Sequence, residues 1–219
     1  MSERVPIPGG RDVRASLDGA DTGDEASDAP TPADDPGANT VVVACPPHPQ
    51  HGGHRGDERL TAVSDALSAA GIDCLRFDYG AWDEGYGETT DADNAVRWAL
   101  DRYDRVGLFG FSFGGCVALV TAATRPELAG VCALAPTAEL NPDVDAVESL
   151  STIADTGLPA RIVYATRDTT AEWRPVVERA ETLGIETVAI ESDHFFVGRT
   201  ETVAADVTDF LVPVLSRAN

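Results

Sequence analysis

The stretch "VGLFGFSFGGCVAL", Val106 to Leu119, sets Gly-Phe-Ser-Phe-Gly-Gly between two apolar runs. The first run is nearly continuous in large apolar residues, as a strand buried on both faces requires, and Val117 to Ala123 reads as a helix. Ser112 therefore falls where a buried strand becomes a helix, with Gly110 two residues before it and Gly114 two after. So sharp a turn forces the serine into a strained conformation that pushes its hydroxyl out at the sheet's edge. The flanking glycines let the two backbones approach without a Cβ clash. The helix N-terminus beneath the serine favours developing negative charge. Ser112 is a candidate nucleophile.

Outward from that turn the same alternation continues. Short β-rich runs lie at 40–45, 73–78, 105–111, 129–135, 160–166 and 186–191. Between them, apolar residues recur at helical spacing: Leu60, Val63, Leu67 and Ala70; Ala95, Val96, Ala99, Leu100 and Tyr103; Val144, Val147, Leu150 and Ile153; Val176, Val177, Ala180 and Leu183; Val203, Val207, Phe210 and Leu211. Before them, "RVPIPGGRDVRASL" reads as a hairpin turned at Gly9-Gly10. Strand-helix alternation specifies an α/β fold, a three-layer α/β/α sandwich on a mainly parallel twisted sheet of about eight strands. In such sheets chemistry gathers at the carboxyl ends of the strands. The expected organisation is one domain over 1–219, with the hairpin in 1–17, an acidic solvated loop in 18–39 and a catalytic core in 40–219.

Composition narrows the function. The chain carries 37 Asp and Glu against 16 basic residues, every one of them Arg, for a net charge of −21. Such a surface repels phosphate, so neither nucleic acid nor an anionic membrane is an expected partner. It also suits a cytoplasm of high salt, where self-repulsion is screened, and a halophilic protein is expected. No apolar run resembles a signal peptide or reaches the roughly 18 residues of a membrane span, so a cytoplasmic location is expected. Cys45, Cys74, Cys116 and Cys132 stand singly in apolar surroundings and read as buried thiols.

A serine hydroxyl needs a base to take its proton. Of the four histidines, His194 in "IESDHFF" follows the last strand, within reach of Ser112 from a neighbouring loop. The acid that orients it is selected by position: Asp168, in "VYATRDTTAEW", follows the strand at 160–166. Asp193 adjoins the histidine and points elsewhere, and Asp143, Asp145 and Asp155 come too early. His48, His51 and His54 share one loop, but Pro49, Gly52 and Gly53 interrupt any helix that would align them on a metal, and no cysteine completes the set. No metal and no cofactor are expected.

The order Ser112, Asp168, His194, each after a successive strand, resembles the α/β-hydrolase fold family over about residues 40 to 216. The segments "CPPHPQHGG", "RFDYGAWDEGYGE", "GFSFGG", "YATRD" and "SDHFF" are similar in particular to the small lidless hydrolases related to dienelactone hydrolases. Their first loop usually reads His-Pro-His-Pro before Gly-Gly. Here Pro46 stands in the first position, while Pro47, His48 and Pro49 match, and Tyr79-Gly80 stands where the group often has Arg-Gly. Dienelactone hydrolases proper use a cysteine nucleophile, so their particular reaction is not implied. The resemblance implies two backbone oxyanion donors, one from Phe113 and one from the loop after strand 40–45. Prolines have no N–H to give, which leaves His48 as first choice and Gln50 as second. Only Pro136 to Pro159 is available where many such hydrolases insert a lid, enough for one helix and short loops. Phe111, Phe195, Trp82 and Tyr86 are candidates to line an apolar pocket, together with Phe113 and Phe196.

The expected activity is hydrolysis of a small or exposed ester or thioester through an acyl-enzyme, with a small-molecule substrate. The alternatives are a non-catalytic ligand-binding module on the same fold, or a triad-dependent cleavage of peptide or carbon–carbon bonds. The sequence leaves the oligomeric state open.

Overall fold

A computed structural model describes residues 2–21 and 39–216 of the chain. Its strands and helices run in the order β1 (Ser2–Ile7), β2 (Val13–Asp18), β3 (Thr40–Cys45), α1 (Glu58–Ala69), β4 (Asp73–Asp78), α2 (Tyr86–Leu100), β5 (Arg105–Phe111) and α3 (Phe113–Ala123). They continue with β6 (Gly130–Leu134), β7 (Glu139–Asn141), β8 (Val144–Asp145), α4 (Ala146–Thr156), β9 (Ala160–Ala165), α5 (Arg174–Leu183), β10 (Glu186–Ile190) and α6 (Thr200–Leu215). Eight strands form one sheet in the order β1-β2-β4-β3-β5-β6-β9-β10. From β4 to β10 every neighbour is parallel, and the antiparallel β1–β2 hairpin adds to the β4 edge.

The central strands β3, β5 and β6 are buried along almost their whole length, because helices cover both faces. Strand alternation sorts the core into two layers. Val41, Val43, Leu108 and Val131 pack with α2, α3, α4 and α5, whereas Val42, Phe109, Phe111 and Val163 pack with α1 and α6. With both faces closed, the strand ends offer the open rim. The chain leaves β3 toward β4 on one side and returns to β5 on the other, so the carboxyl ends of β3 and β5 bound a topological switch point.

Several boundaries differ from the sequence expectation. Asp18 is no part of a solvated loop: it ends β2, accepting hydrogen bonds from Arg76 Nε at 2.6 Å and Ser64 Oγ at 2.7 Å. Residues 22–38 of the acidic stretch lie outside the described residues. Helix α2 begins a full turn and more before the apolar face that signals it, since Glu88 receives the amide of Gly85 at its N-terminus, and Tyr103 falls beyond its end. The segment 136–159 holds a small hairpin, β7–β8, as well as the single helix α4, which opens where Asp145 caps the amides of Val147 and Glu148. All four cysteines are buried free thiols, and burial pushes those of Cys74, Cys116 and Cys132 up to about 12.

Candidate active site

Ser112 stands between β5 and α3 with φ 57° and ψ −118°, a conformation that costs a non-glycine residue about 1–3 kcal/mol. The surroundings over-determine it. Its amide donates to Leu134 O at 2.8 Å, and its carbonyl accepts the amides of Gly115 at 2.8 Å and Cys116 at 3.2 Å, the first bonds of α3. A Cβ on Gly110 would sit 2.5 Å from the Gly114 carbonyl carbon, and one on Gly114 would sit 2.7 Å from the Cys45 carbonyl carbon. Gly110 thus lets the helix fold back on its strand. Gly114 lets the loop after β3 lie against the helix start.

His194, in the loop after β10, is 4% exposed and reaches Ser112 Oγ with Nε2 at 2.9 Å. Its Nδ1 lies 2.6 Å from Asp168 Oδ2. The Asp168 side chain is fully buried, and its other oxygen accepts the amides of Thr170 at 2.8 Å and Ala171 at 3.0 Å. Burial alone would raise this carboxyl, but the hydrogen bonds from His194 and the two amides outweigh it and hold Asp168 below the usual carboxylate range. A carboxylate only accepts, so the proton between the two groups belongs to Nδ1 and the lone pair of Nε2 faces the serine hydroxyl. The structure therefore brings Ser112, His194 and Asp168 into one hydrogen-bonded line.

The loops carrying these groups are tied to each other. Thr166 and Arg167 amides donate to Ile190 and Ser192 carbonyls at 3.0 Å, extending the β9–β10 pairing beyond the sheet. Trp173 Nε1 donates to Asp168 O at 3.2 Å. Asp193 closes the histidine turn, with Oδ1 accepting the Phe195 amide at 3.1 Å and its carbonyl accepting that of Phe196 at 3.2 Å. That is a bracing role for the carboxylate the sequence sets aside.

The loop after β3 turns through a single 3₁₀ turn at Pro49–His51. The Gln50 amide is spent on His48 Nδ1 at 3.2 Å, whereas among the described residues the amides of His48 and Phe113 make no hydrogen bond. That difference favours His48 over Gln50 as a donor. The same bond needs a neutral His48, and burial and the neighbouring His51 both lower its pKa. The His48 ring stacks between those of His51 at 4.3 Å and Trp82 at 4.8 Å. His54 instead accepts the Gly56 amide with Nδ1 at 2.9 Å, away from any shared centre with the other two.

The pocket candidates separate. Phe111 does not line the site: alternation along β5 turns it to the α1–α6 side, 2% exposed, where its ring backs that of His194 at 5.3 Å and touches Phe196. Phe113 lies on the opposite side, against His48 at 4.9 Å and Trp82 at 5.7 Å. Phe195 is exposed and meets the His194 ring edge-on at 5.3 Å. Tyr86 is exposed at the start of α2 and donates its hydroxyl to Asp143 at 2.8 Å, with no ring contact to the Ser112 cluster.

Sequence reasoning missed the residues that brace the site from a distance. Arg59 of α1 places its guanidinium 4.7 Å from the centre of the Phe111 ring and donates to Phe195 O at 3.1 Å. Tyr79, buried after β4, donates to Pro46 O at 3.2 Å. Asp91 and Glu88, buried on the first turns of α2, bind the amides of Gly80 and of Asp83 and Gly85 respectively. A buried acid in a helix that otherwise reads as amphipathic is a faint signal, and in so acidic a chain it does not stand out.

No family model matches this chain. An uncharacterized protein of Rickettsia prowazekii (strain Madrid E) is 24% identical over 194 residues, covering 80% of each chain. XC6422 from Xanthomonas campestris, an α/β serine hydrolase without a lid, matches 100% of this chain and 97% of its own with a TM-score of 0.75 at 21% identity. This chain has the α/β-hydrolase fold. A dienelactone hydrolase from Anabaena variabilis has the same course, with a TM-score of 0.73, 21% identity and 98% of each chain covered. Within that fold the present protein is of the lidless kind: only β7, β8 and α4 separate β6 from β9, where a lid would be inserted. Among the described residues, no helix is long and apolar enough to cross a membrane.

Proposed function

We propose that this protein is a serine hydrolase that cleaves a small or exposed carboxylic ester or thioester. The observation that carries the reading is the line Asp168–His194–Ser112, with contacts of 2.6 and 2.9 Å, beside two amides, of Phe113 and His48, that are left unspent. In this reading the Ser112 hydroxyl attacks the acyl carbon while His194 Nε2 takes its proton. Asp168 keeps Nδ1 protonated and stabilises the imidazolium. The carbonyl oxygen, now negative, is held by the Phe113 and His48 amides and by the start of α3. His194 then gives its proton to the leaving alcohol or thiol, leaving Ser112 acylated. Water, deprotonated by His194, attacks the acyl carbon, releases the acid and returns the serine.

The test is fluorophosphonate treatment followed by intact mass, on the wild type and on Ser112→Ala. A single adduct on the wild type alone supports the reading. No adduct on folded wild type would reject it in favour of the ligand-binding module. The acidic, lysine-free composition further supports a halophilic protein at work in the cytoplasm. Its melting temperature should rise by about 10 °C between dilute and multimolar KCl as repulsion among the 37 acidic residues is screened. A flat response would reject this second part.

A further inference from the structure

The segment after β4, residues 79–85, is held with a rigidity its exposure does not explain. Asp91, fully buried, accepts the Gly80 amide at 2.9 Å and Arg11 Nε at 2.8 Å. Arg11 in turn donates to Ala81 O at 2.5 Å. Glu88, also fully buried, accepts the amides of Asp83 at 3.0 Å and Gly85 at 2.8 Å, and Asn141 donates to Glu84 O at 2.7 Å. Burying two carboxylates is costly unless each is satisfied, and here Glu88 is satisfied by this loop and Asp91 by the loop and Arg11 together.

What the loop presents is Trp82. The residue is 36% exposed, its ring stacked on His48 at 4.8 Å and 24° and tilted on Phe113 at 5.7 Å. Those two partners are the residues whose amides face the reacting oxygen in the proposed mechanism. Phe195 occupies the other flank, beside His194. A base that returns its proton to the leaving oxygen needs that oxygen on its own side, so the leaving group lies toward His194 and Phe195. The acyl substituent is then directed away from the imidazole, toward the wall made by Trp82.

We infer that Trp82 is a specificity-determining residue, whose ring, seated on His48 and backed by the buried Phe113, forms a stacking wall for a planar, uncharged ring on the acyl side of the substrate; this rests on the serine-hydrolase reading. Aromatic faces meet best when offset or tilted at centroid separations of about 4.5–7 Å, and the exposed face of an already stacked indole offers that geometry without rearrangement. Asp83 and Glu84 on the same loop disfavour a carboxylate on that ring.

The test compares p-nitrophenyl esters of 3-phenylpropanoic and 3-cyclohexylpropanoic acid, which share chain length and leaving group and differ in the flatness of the ring. The readout is the ratio of their kcat/KM values, which a general loss of activity leaves where it is. Wild type should prefer the phenyl ester. Trp82→Leu should lower that ratio about tenfold, and Trp82→Phe should restore most of it. A ratio unchanged in Trp82→Leu, or lowered equally in Trp82→Phe, would overturn the assignment. Wild type inert to p-nitrophenyl acetate and to fluorophosphonate would overturn the hydrolase reading itself, and this one with it.

Discussion

Gly114→Ala tests the oxyanion arrangement through a side chain, although both donors are backbone groups. The added Cβ would lie 2.7 Å from the Cys45 carbonyl carbon and closer still to the carbonyl oxygens of Cys45 and Pro46. Ordinary contact begins near 3.4 Å, so the loop after β3 must retreat from α3 by about 1 Å. It cannot retreat freely, since Tyr79 holds Pro46 O at 3.2 Å and the His48 ring is wedged between His51 and Trp82. The strain should cost about 1–3 kcal/mol of stability, which a domain of this size survives. The larger effect is on rate. A shift of that size takes the His48 amide out of hydrogen-bond range of the oxyanion while Ser112, His194 and Asp168 keep their places. Loss of one such donor costs about 10²–10³ in kcat, equivalent to about 2.7–4 kcal/mol. The assay is kcat and KM on p-nitrophenyl acetate, alongside near-ultraviolet circular dichroism to show that tertiary packing persists. A folded variant with kcat within about threefold of wild type would refute the placement of a donor on this loop.

Asp168→Asn should lower kcat by about 10³–10⁴ with little change in KM, because an amide can donate to Nδ1 and so favour the tautomer with Nε2 protonated; steady-state kinetics check it. Arg59→Ala should lower kcat about tenfold and slow fluorophosphonate labelling, since it removes the cation over Phe111 and the bond to Phe195 O that back the His194 turn. Labelling at the wild-type rate would show the brace to be idle. His48 and Asp168 are both held below their ordinary pKa values, so each contributes stability that is complete above its unfolded value and is lost as pH falls through its folded one. Urea midpoints measured downward from about pH 8 should therefore fall first just below the ordinary imidazole range. His48→Phe should abolish that first step and leave the later, carboxylate step in place.

The fold was legible because burial on both faces leaves a strong mark. "TVVVAC" and "RVGLFGF" contain so few polar residues that only strands covered by helices on each side accommodate them, and β3 and β5 have those same limits. Ser112 was legible for a related reason: a Cβ on either flanking glycine would meet backbone atoms, so a side chain there comes only at the cost of a backbone shift. His194 and Asp168 could be chosen by their position after strands, since the sheet carries the strand ends together. Phe111 was misread because a residue's face is decided by strand register, which counts from the sheet and not from the serine next to it in sequence. The braces were illegible for a third reason. Arg59, Tyr79, Glu88 and Asp91 reach the site across gaps in sequence that only the packed helices close.

The distribution of those braces bears on mechanism. Apart from Ser112, each group of the proposed site sits on a loop, yet each loop is fixed from an element on a different side: Asp168 by Trp173, His194 by Arg59, the His48 loop by Tyr79 and Gly114, and Trp82 by Glu88 and Asp91. Without a lid to close over the substrate, a site of this kind cannot gain its geometry on binding, so it must be held before substrate arrives. The holding groups are charged or hydrogen-bonded instead of apolar because loops expose backbone amides that need partners, and a carboxylate can satisfy two at once, as Glu88 and Asp168 both do. In a chain of net charge −21 such carboxylates are abundant. What distinguishes the few that matter is that they are buried and face inward onto loop backbone. Neutralising one of them, as in Glu88→Gln, keeps the volume but leaves one oxygen to accept where two did. The Trp82 loop should then loosen while α2 remains folded. Substrate selectivity should respond more than the rate of serine acylation by acetate esters, and an unaltered ratio of the phenyl to cyclohexyl esters in that variant would count against preorganisation as the loop's purpose.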